Sequence, residues 1–369
     1  MQGEQREPRS QVALVQGDDV PGGRYENISH ALRLLSEDID LTGKKHVLIK
    51  PNFVMAHKPL ACTHADAVRA VLDFVRARYD GPLTIAEGPS VESAADAFRL
   101  LGYEPLARAY DAVLVDLNYD EPLPVDVYDW RLRPLRLHLA RSVVESDFRI
   151  SVGPPKTHDV VIVTLSLKNM IMGSLISRFS HGAPSQRGGS GPMRKVSQAL
   201  WRMIPQWVRG LPLAEWLEFR AMSTLQPSDK MKMHQSYPVI NLNLALLAPR
   251  LAPHLAVIDG HEAMEGNGPS AGTVVPLRLA LASTDALAAD VVGTILMGFS
   301  VDQVGYLHYC TQMGLGASDL SQIEIVGNAT VADCSRSFRP HTTYRRQLGW
   351  EMRQAERYLT WTLTPSLPE

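Results

Sequence analysis

Short apolar runs rich in β-branched residues alternate along this chain with longer amphipathic stretches, and nearly every short run stops in a polar loop. Residues 11–17, 46–49, 83–86, 112–115, 148–152, 255–258, 277–282 and 323–326 read as strands. Between them, 27–41, with Ile28, Leu32 and Leu35 near helical spacing, and 65–79, 93–101, 236–247, 286–297 and 301–313 read as helices. Thr63 and Asp66 have capping-box spacing, and Ser283-Thr284-Asp285 looks like a helix cap. Strand, polar loop, helix, repeated, predicts an α/β fold with a doubly wound, mostly parallel sheet and flanking helices. Residues 122–147 alternate with period two and are expected as an antiparallel excursion. The segment 160–172 is apolar at mixed spacing and reads as a buried element, helix rather than strand.

The pattern suggests three regions: an α/β half over 1–150, a second half over 151–330, and a charged peripheral tail over 331–369 with a helix near 344–359. The second half is interrupted at 175–233. A stretch rich in Gly, Ser and Pro (182–192) leads there into an amphipathic one carrying Trp201, Trp207 and Trp216 and broken by Pro205 and Pro212. Within this insert Arg178, Arg187, Arg194, Lys195, Arg202, Arg209, Arg220, Lys230 and Lys232 oppose only Glu215, Glu218 and Asp229. A basic, tryptophan-bearing insert suits a lid, a homodimer contact or peripheral contact with a membrane; helices that simply cover a sheet face are the plain alternative.

The polar residues that end the strands are the candidates for chemistry, because ligands of doubly wound sheets sit outside the strands' carboxyl ends. Lys50 and Asn52, Glu87, Asp116 and Asn118, and Lys156 with His158 each follow a strand, while Lys168 and Asn169 break the apolar run behind them. Lys50, Lys156 and Lys168 are expected to bind an anion, or one of them to act as a desolvated base or Schiff-base amine. The plain alternative pairs each with a carboxylate such as Glu87 or Asp259. His158 is a candidate acid–base residue or metal ligand; His64, at the first turn of a capped helix, reads more readily as structural, and for His234 near the insert's end a plain surface reading is equally good. The acidic loop 259–269 contributes Asp259, Glu262, Glu265 and Asn267, with Glu265 expected to face Lys156 and His158. A divalent metal held by His158, Glu265 and Asp259 is an alternative to acid–base roles, without diagnostic spacing. No GxGxxG, Walker, nucleophile-elbow or HExxH pattern occurs.

Composition narrows the classes. A net charge of −2 over 369 residues gives no general attraction to nucleic acid, and 45% apolar with 21% charged residues is ordinary for a globular chain. Cys62, Cys310 and Cys334 lie far apart without CxxC spacing, so no iron–sulfur cluster is expected, and a reduced cytoplasmic setting fits them. The N-terminus lacks the apolar stretch of an export signal, and no run approaches the roughly 20 apolar residues of a transmembrane segment.

IKPN, THAD, PPKTHD, SLKNMIMG, VIDGHEAMEGNGP, ASTDALAAD, MGLG and EIVG follow one another between residues 49 and 327. This ordered set resembles the domain of unknown function family numbered 362, and the resemblance covers roughly residues 10–330. The resemblance implies little about activity. Some relatives carry an appended ferredoxin module with cysteine-ligated iron–sulfur clusters, and this chain has no such cysteines. Two functional classes follow. The first is an isomerase-, lyase- or cyclase-type enzyme that binds a small or amphiphilic anion (carboxylate, phosphate or diphosphate) in the Lys/His/carboxylate cleft under the insert. The second is a redox accessory or binding protein working beside a separate iron–sulfur partner.

Overall fold

The structure is a computed structural model that describes residues 10–17, 20, 22–89, 93–177, 217, 219–220 and 228–359. Most of the basic insert, including its three tryptophans, lies outside the described residues.

The strands are β1 (Ser10–Gln16), β2 (Val47–Lys50), β3 (Leu83–Glu87), β4 (Ala112–Asp116), β5 (Pro122–Tyr128), β6 (Pro134–Ala140), β7 (Phe148–Gly153), β8 (Lys156–His158), β9 (Ile162–Thr164), β10 (Leu255–Gly260), β11 (Ala263–Asn267), β12 (Ala271–Val275), β13 (Leu279–Ser283) and β14 (Ile323–Gly327). Eight of them form one sheet in the order β14-β1-β13-β10-β7-β2-β3-β4. Every neighbouring pair is parallel except those of β13, which runs antiparallel to both β1 and β10. The α/β fold expected from the sequence is therefore present, with one reversed strand that the apolar pattern does not distinguish from its neighbours.

Helices on both faces bury the central strands completely, which is why they read as continuous apolar runs. Val47 and Ile49 of β2 pack into one core with Ile28 and Val68, while Leu48 points into the other with Ile240 and Val291. Helix Ala65–Arg76 places Ala67, Val68, Val71, Leu72 and Val75 on its buried side, the i, i+3, i+4 spacing of an amphipathic helix. Its cap is His64, whose Nδ1 accepts from the Asp66 amide at 3.1 Å, and not Thr63 as the capping-box spacing suggests. Thr63 is drawn inward to the sheet instead.

Four further readings change. The 259–269 loop is largely a strand, β11, which forms a hairpin with β12 and pairs with β8, itself paired with β9, in a second, four-stranded sheet. Segment 160–172 splits into strand β9 and helix Ser166–Ser174. The expected 344–359 helix is three short turns, because residues around Gly349 leave helical geometry. The tail is not wholly peripheral: Phe338, Gln347, Trp350 and Ala355 are buried, and Gln347 bonds the backbone of His158 and Ile162. Residues 1–150 and 151–330 share one sheet, since β7 and β10 continue it beside β2. The expected antiparallel excursion over 122–147 is present as the two-stranded β5–β6 sheet up to Ala140, while its last stretch, Arg141–Glu145, is a short helix instead of strand. Among the described residues no helix is long and apolar enough to cross a membrane.

Candidate functional site

The carboxyl ends of β7, β2, β3 and β4 converge with helix Ser166–Ser174 on a group of buried polar side chains. Lys50, the last residue of β2, is fully buried and forms an ion pair with Glu87 at the end of β3. Its Nζ also donates to Asn169 Oδ1 at 3.0 Å and to the Pro51 carbonyl at 2.9 Å. Glu87 Oε1 accepts from the Phe53 amide. Lys50 reaches this position by passing over Gly173, where a Cβ would occupy the space of the lysine's own side chain. Gly173→Ala is accordingly expected to cost about 1–3 kcal/mol through overpacking, measured by urea denaturation.

Lys156, the first residue of β8, is fully buried without a carboxylate partner among the described residues; its Nζ donates to Asn52 Oδ1 and, at 2.8 Å, to the Ala61 carbonyl. Burial lowers its pKa to about 7. Asn52 Nδ2 donates in turn to Asn169 Oδ1 at 3.0 Å, and Asn169 Nδ2 donates to Ser151 Oγ at 3.0 Å. Thr63 Oγ1 accepts from the Asn52 amide and donates to the Val152 carbonyl, which locks the β2 and β7 loops together. Lys50, Asn52, Asn169 and Lys156 thus belong to one buried hydrogen-bonded network.

Lys168 Nζ lies 2.9 Å from His158 Nε2, and His158 Nδ1 lies 3.0 Å from both the Val160 amide and Asp159 Oδ1. Burial first, then the nearby Lys168, hold the imidazole well below its ordinary pKa. Burial brings Lys168 to about 8. Two proton arrangements are available: with Nδ1 accepting from the Val160 amide, an Nε2–H tautomer donates to the neutral Lys168 amine; an Nδ1–H tautomer, which gives up that amide bond and turns its proton to Asp159, accepts from the Lys168 ammonium. They differ by one proton on the pair, the behaviour required of a proton-transfer site.

A fourth lysine, Lys230, was not singled out by sequence. It comes from the end of the insert, is buried, and donates to the Gly88 carbonyl next to Glu87. Burial lowers its pKa to about 8, and His234 one turn later falls to about 4 for the same reason. Within its own stretch, Ser-Asp-Lys-Met-Lys, nothing distinguishes Lys230 from a surface residue. Asn118, at the end of β4, donates to the Pro89 carbonyl and accepts from the Ser177 amide, closing this side.

Three expected members stand elsewhere. Glu265 does not face Lys156 and His158: Oε2 accepts from the Arg339 amide at 2.9 Å, and its β11 position turns it to the tail. Asp259 is buried against Arg24, whose Nε lies 3.0 Å from Oδ2, with Glu262 on the same guanidinium. Asn267 is exposed. His158, Glu265 and Asp259 therefore do not converge as a metal triad, and no cluster of three or more His, Cys, Asp or Glu suited to a metal occurs among the described residues.

Beside the network lies a narrow, closed crevice lined by Asn52, Ser151, Gly153, Pro154, Thr164, Leu165, Ser166 and Asn169. Thr164 Oγ1 is buried there without a hydrogen-bond partner among the described residues. The signal was a lone hydroxyl in the apolar run before Ser166. Asp290 anchors the crevice floor: it accepts from the Ser166 amide and hydroxyl and the Leu167 amide at 2.6–3.0 Å, and burial raises its pKa to about 7.

Fold and site define an α/β protein of the doubly wound class with a lysine-rich polar cluster buried at its strands' carboxyl ends. The chain belongs to the family described as Domain of unknown function (DUF362), whose profile matches residues 47–294. It is 23% identical over 294 residues to a thylakoid-associated protein of Synechocystis sp., covering 78% of this chain and 74% of that protein. The lactate racemase apoprotein of Thermoanaerobacterium thermosaccharolyticum superposes with a TM-score of 0.43 at 12% identity, over 78% of this chain and 60% of the racemase. The chain thus spans less than two thirds of that structure's length.

Proposed function

We propose that this protein is an enzyme that binds a small or amphiphilic anion, a carboxylate, phosphate or diphosphate, and moves a proton on it in an isomerase- or lyase-type reaction. The supporting observation is the excess of buried cations. Lys50, Lys156 and Lys230 are buried and Lys168 is half-buried, against one buried carboxylate among the described residues of the cluster, Glu87, which pairs with Lys50, and the half-exposed Asp159 beside His158. Buried ammonium groups without matching carboxylates are unstable unless they lose a proton or gain an anion. Lys156, near neutrality, acts as the base in its amine form, and the Lys168–His158 pair returns the proton. Lys50, held by Glu87 and Asn169, supplies fixed positive charge. The described end of the insert belongs to this cleft: Lys230 donates to the Gly88 carbonyl beside Glu87, and His234 is buried one turn further on.

The test is solvent-proton exchange. Incubated in D2O with a panel of small carboxylates bearing an acidic α-hydrogen, the wild-type protein is expected to label one of them. Lys156→Ala is expected to slow labelling by about 100-fold or more. Equal rates with both proteins would remove Lys156 from the chemistry, and no labelling across the panel would contradict proton transfer.

A further inference from the structure

Lys156 and Thr164 are register partners on the antiparallel strands β8 and β9, so their side chains leave the same face of the sheet as neighbours. Among the described residues Lys156 Nζ is held by neutral oxygens, Asn52 Oδ1 and the Ala61 carbonyl. Asn52 also lines the crevice into which Thr164 turns its unpartnered hydroxyl. A buried hydroxyl without a partner costs roughly 1–3 kcal/mol, and such groups persist where a ligand or reacting atom completes them.

We infer that Lys156 is a covalent amine: its Nζ adds to the carbonyl carbon of a small 2-oxo acid, and Thr164 Oγ1 donates to the carbonyl oxygen as it becomes a hydroxyl. This assignment rests on the anion-binding reading above and gives it a substrate class. In the balanced step the nitrogen lone pair forms a C–N bond and the C=O π pair moves to oxygen. The two amine protons pass to that oxygen, which leaves as water, and a neutral imine remains. A further proton from the Lys168 ammonium makes the iminium. In pyruvate the adjacent methyl C–H then becomes acidic because its electron pair delocalises into C=N⁺, and the Lys168 amine, rather than the now covalent Lys156, takes that proton. Glyoxylate, which has no such C–H, reports imine formation alone. The acid's carboxylate is met by the remaining lysine charge of the cluster. The crevice, walled by Ser151, Ser166 and Asn169, is closed in this structure, so Asn52, which separates it from Lys156, must move aside to admit the compound, and a small one is favoured. Lys50 is unsuited to the same role because Glu87 holds it as an ion pair.

The test uses glyoxylate and pyruvate with sodium cyanoborohydride on the full-length protein, read by intact mass and peptide mapping. The expected result is a single reduced adduct on Lys156 that forms with one of the two acids. Thr164→Val is expected to form the adduct about 10-fold more slowly, and Thr164→Ser to recover most of the rate. Oxalate, which lacks an electrophilic ketone, provides the control: its binding, followed by calorimetry, is expected to persist in Thr164→Val. Adducts spread over surface lysines, or none on Lys156 while oxalate still binds, would overturn the covalent role and leave the anion site standing. Failure of oxalate to bind at all would instead remove the anion-binding reading on which the inference rests. Lys156→Arg, checked for folding by its thermal transition, is expected to abolish the mapped adduct; an unchanged adduct mass in that variant would also overturn the assignment.

Discussion

Glu87→Gln is expected to destabilise the folded protein by about 3–5 kcal/mol, the cost of leaving one member of a buried ion pair without its partner. The change keeps the shape of the side chain but removes the charge facing Lys50, whose remaining acceptors are Asn169 Oδ1 and the Pro51 carbonyl. The cluster amplifies the loss, because Lys168 and Lys230 also feel Glu87 as a favourable charge. Combining it with Lys50→Met is expected to restore much of the stability, since an apolar pair of similar volume removes both desolvated charges. A double-mutant cycle in urea measures the coupling. A Glu87→Gln cost below about 1 kcal/mol would mean that the ammonium of Lys50 is not charged in the folded state.

The second large effect is on the pH dependence of stability. Lys156 falls to about 7 and Lys168 and Lys230 to about 8, all chiefly through burial. In the unfolded chain these lysines regain ordinary values near 10.4. Between these limits the unfolded state holds protons that the folded state lacks. Unfolding free energy therefore rises with pH, by about 1.4 kcal/mol per pH unit for each lysine that loses its proton on folding. Below about pH 7 the three are protonated in both states and their contribution becomes flat at its least favourable level. Stability is thus expected to increase from about pH 7 toward about pH 10, against the usual maximum between about 5 and 8. Lys156→Met is expected to flatten the lower part of that rise. Denaturation midpoints across the range in wild type and variant provide the check.

The fold was legible because its central strands are buried on both faces and each is followed by a polar loop. Runs such as 46–49 and 83–86 cannot be mistaken for helices at that length. The direction of β13 was not legible, since an antiparallel strand with helices on both faces has the same apolar run as a parallel one. The β11–β12 hairpin was hidden because its glycines and acids, read locally, make a loop; only pairing with β8 turns it into a strand. In the site, Lys50, Asn52, Glu87, Lys156, His158, Lys168 and Asn169 were found from position after strands or from polarity inside apolar runs. Glu265 was misplaced because sequence carries no information on which distant partner wins it, here Arg339. Lys230 was missed because its significance comes from burial against Gly88, a contact between residues far apart in the chain.

The most direct measurement of the central claim, that the lysine cluster is an anion site set by Lys156, is calorimetric titration with oxalate and with inorganic phosphate. It compares about pH 6.5 with about pH 9, in wild type and in Lys156→Met. The predicted result is binding of at least one anion at the lower pH, weakened about 10-fold or more at the higher as the amines lose their protons, and weakened similarly by the substitution. Equal affinity at both pH values, or binding indifferent to Lys156→Met, would contradict it.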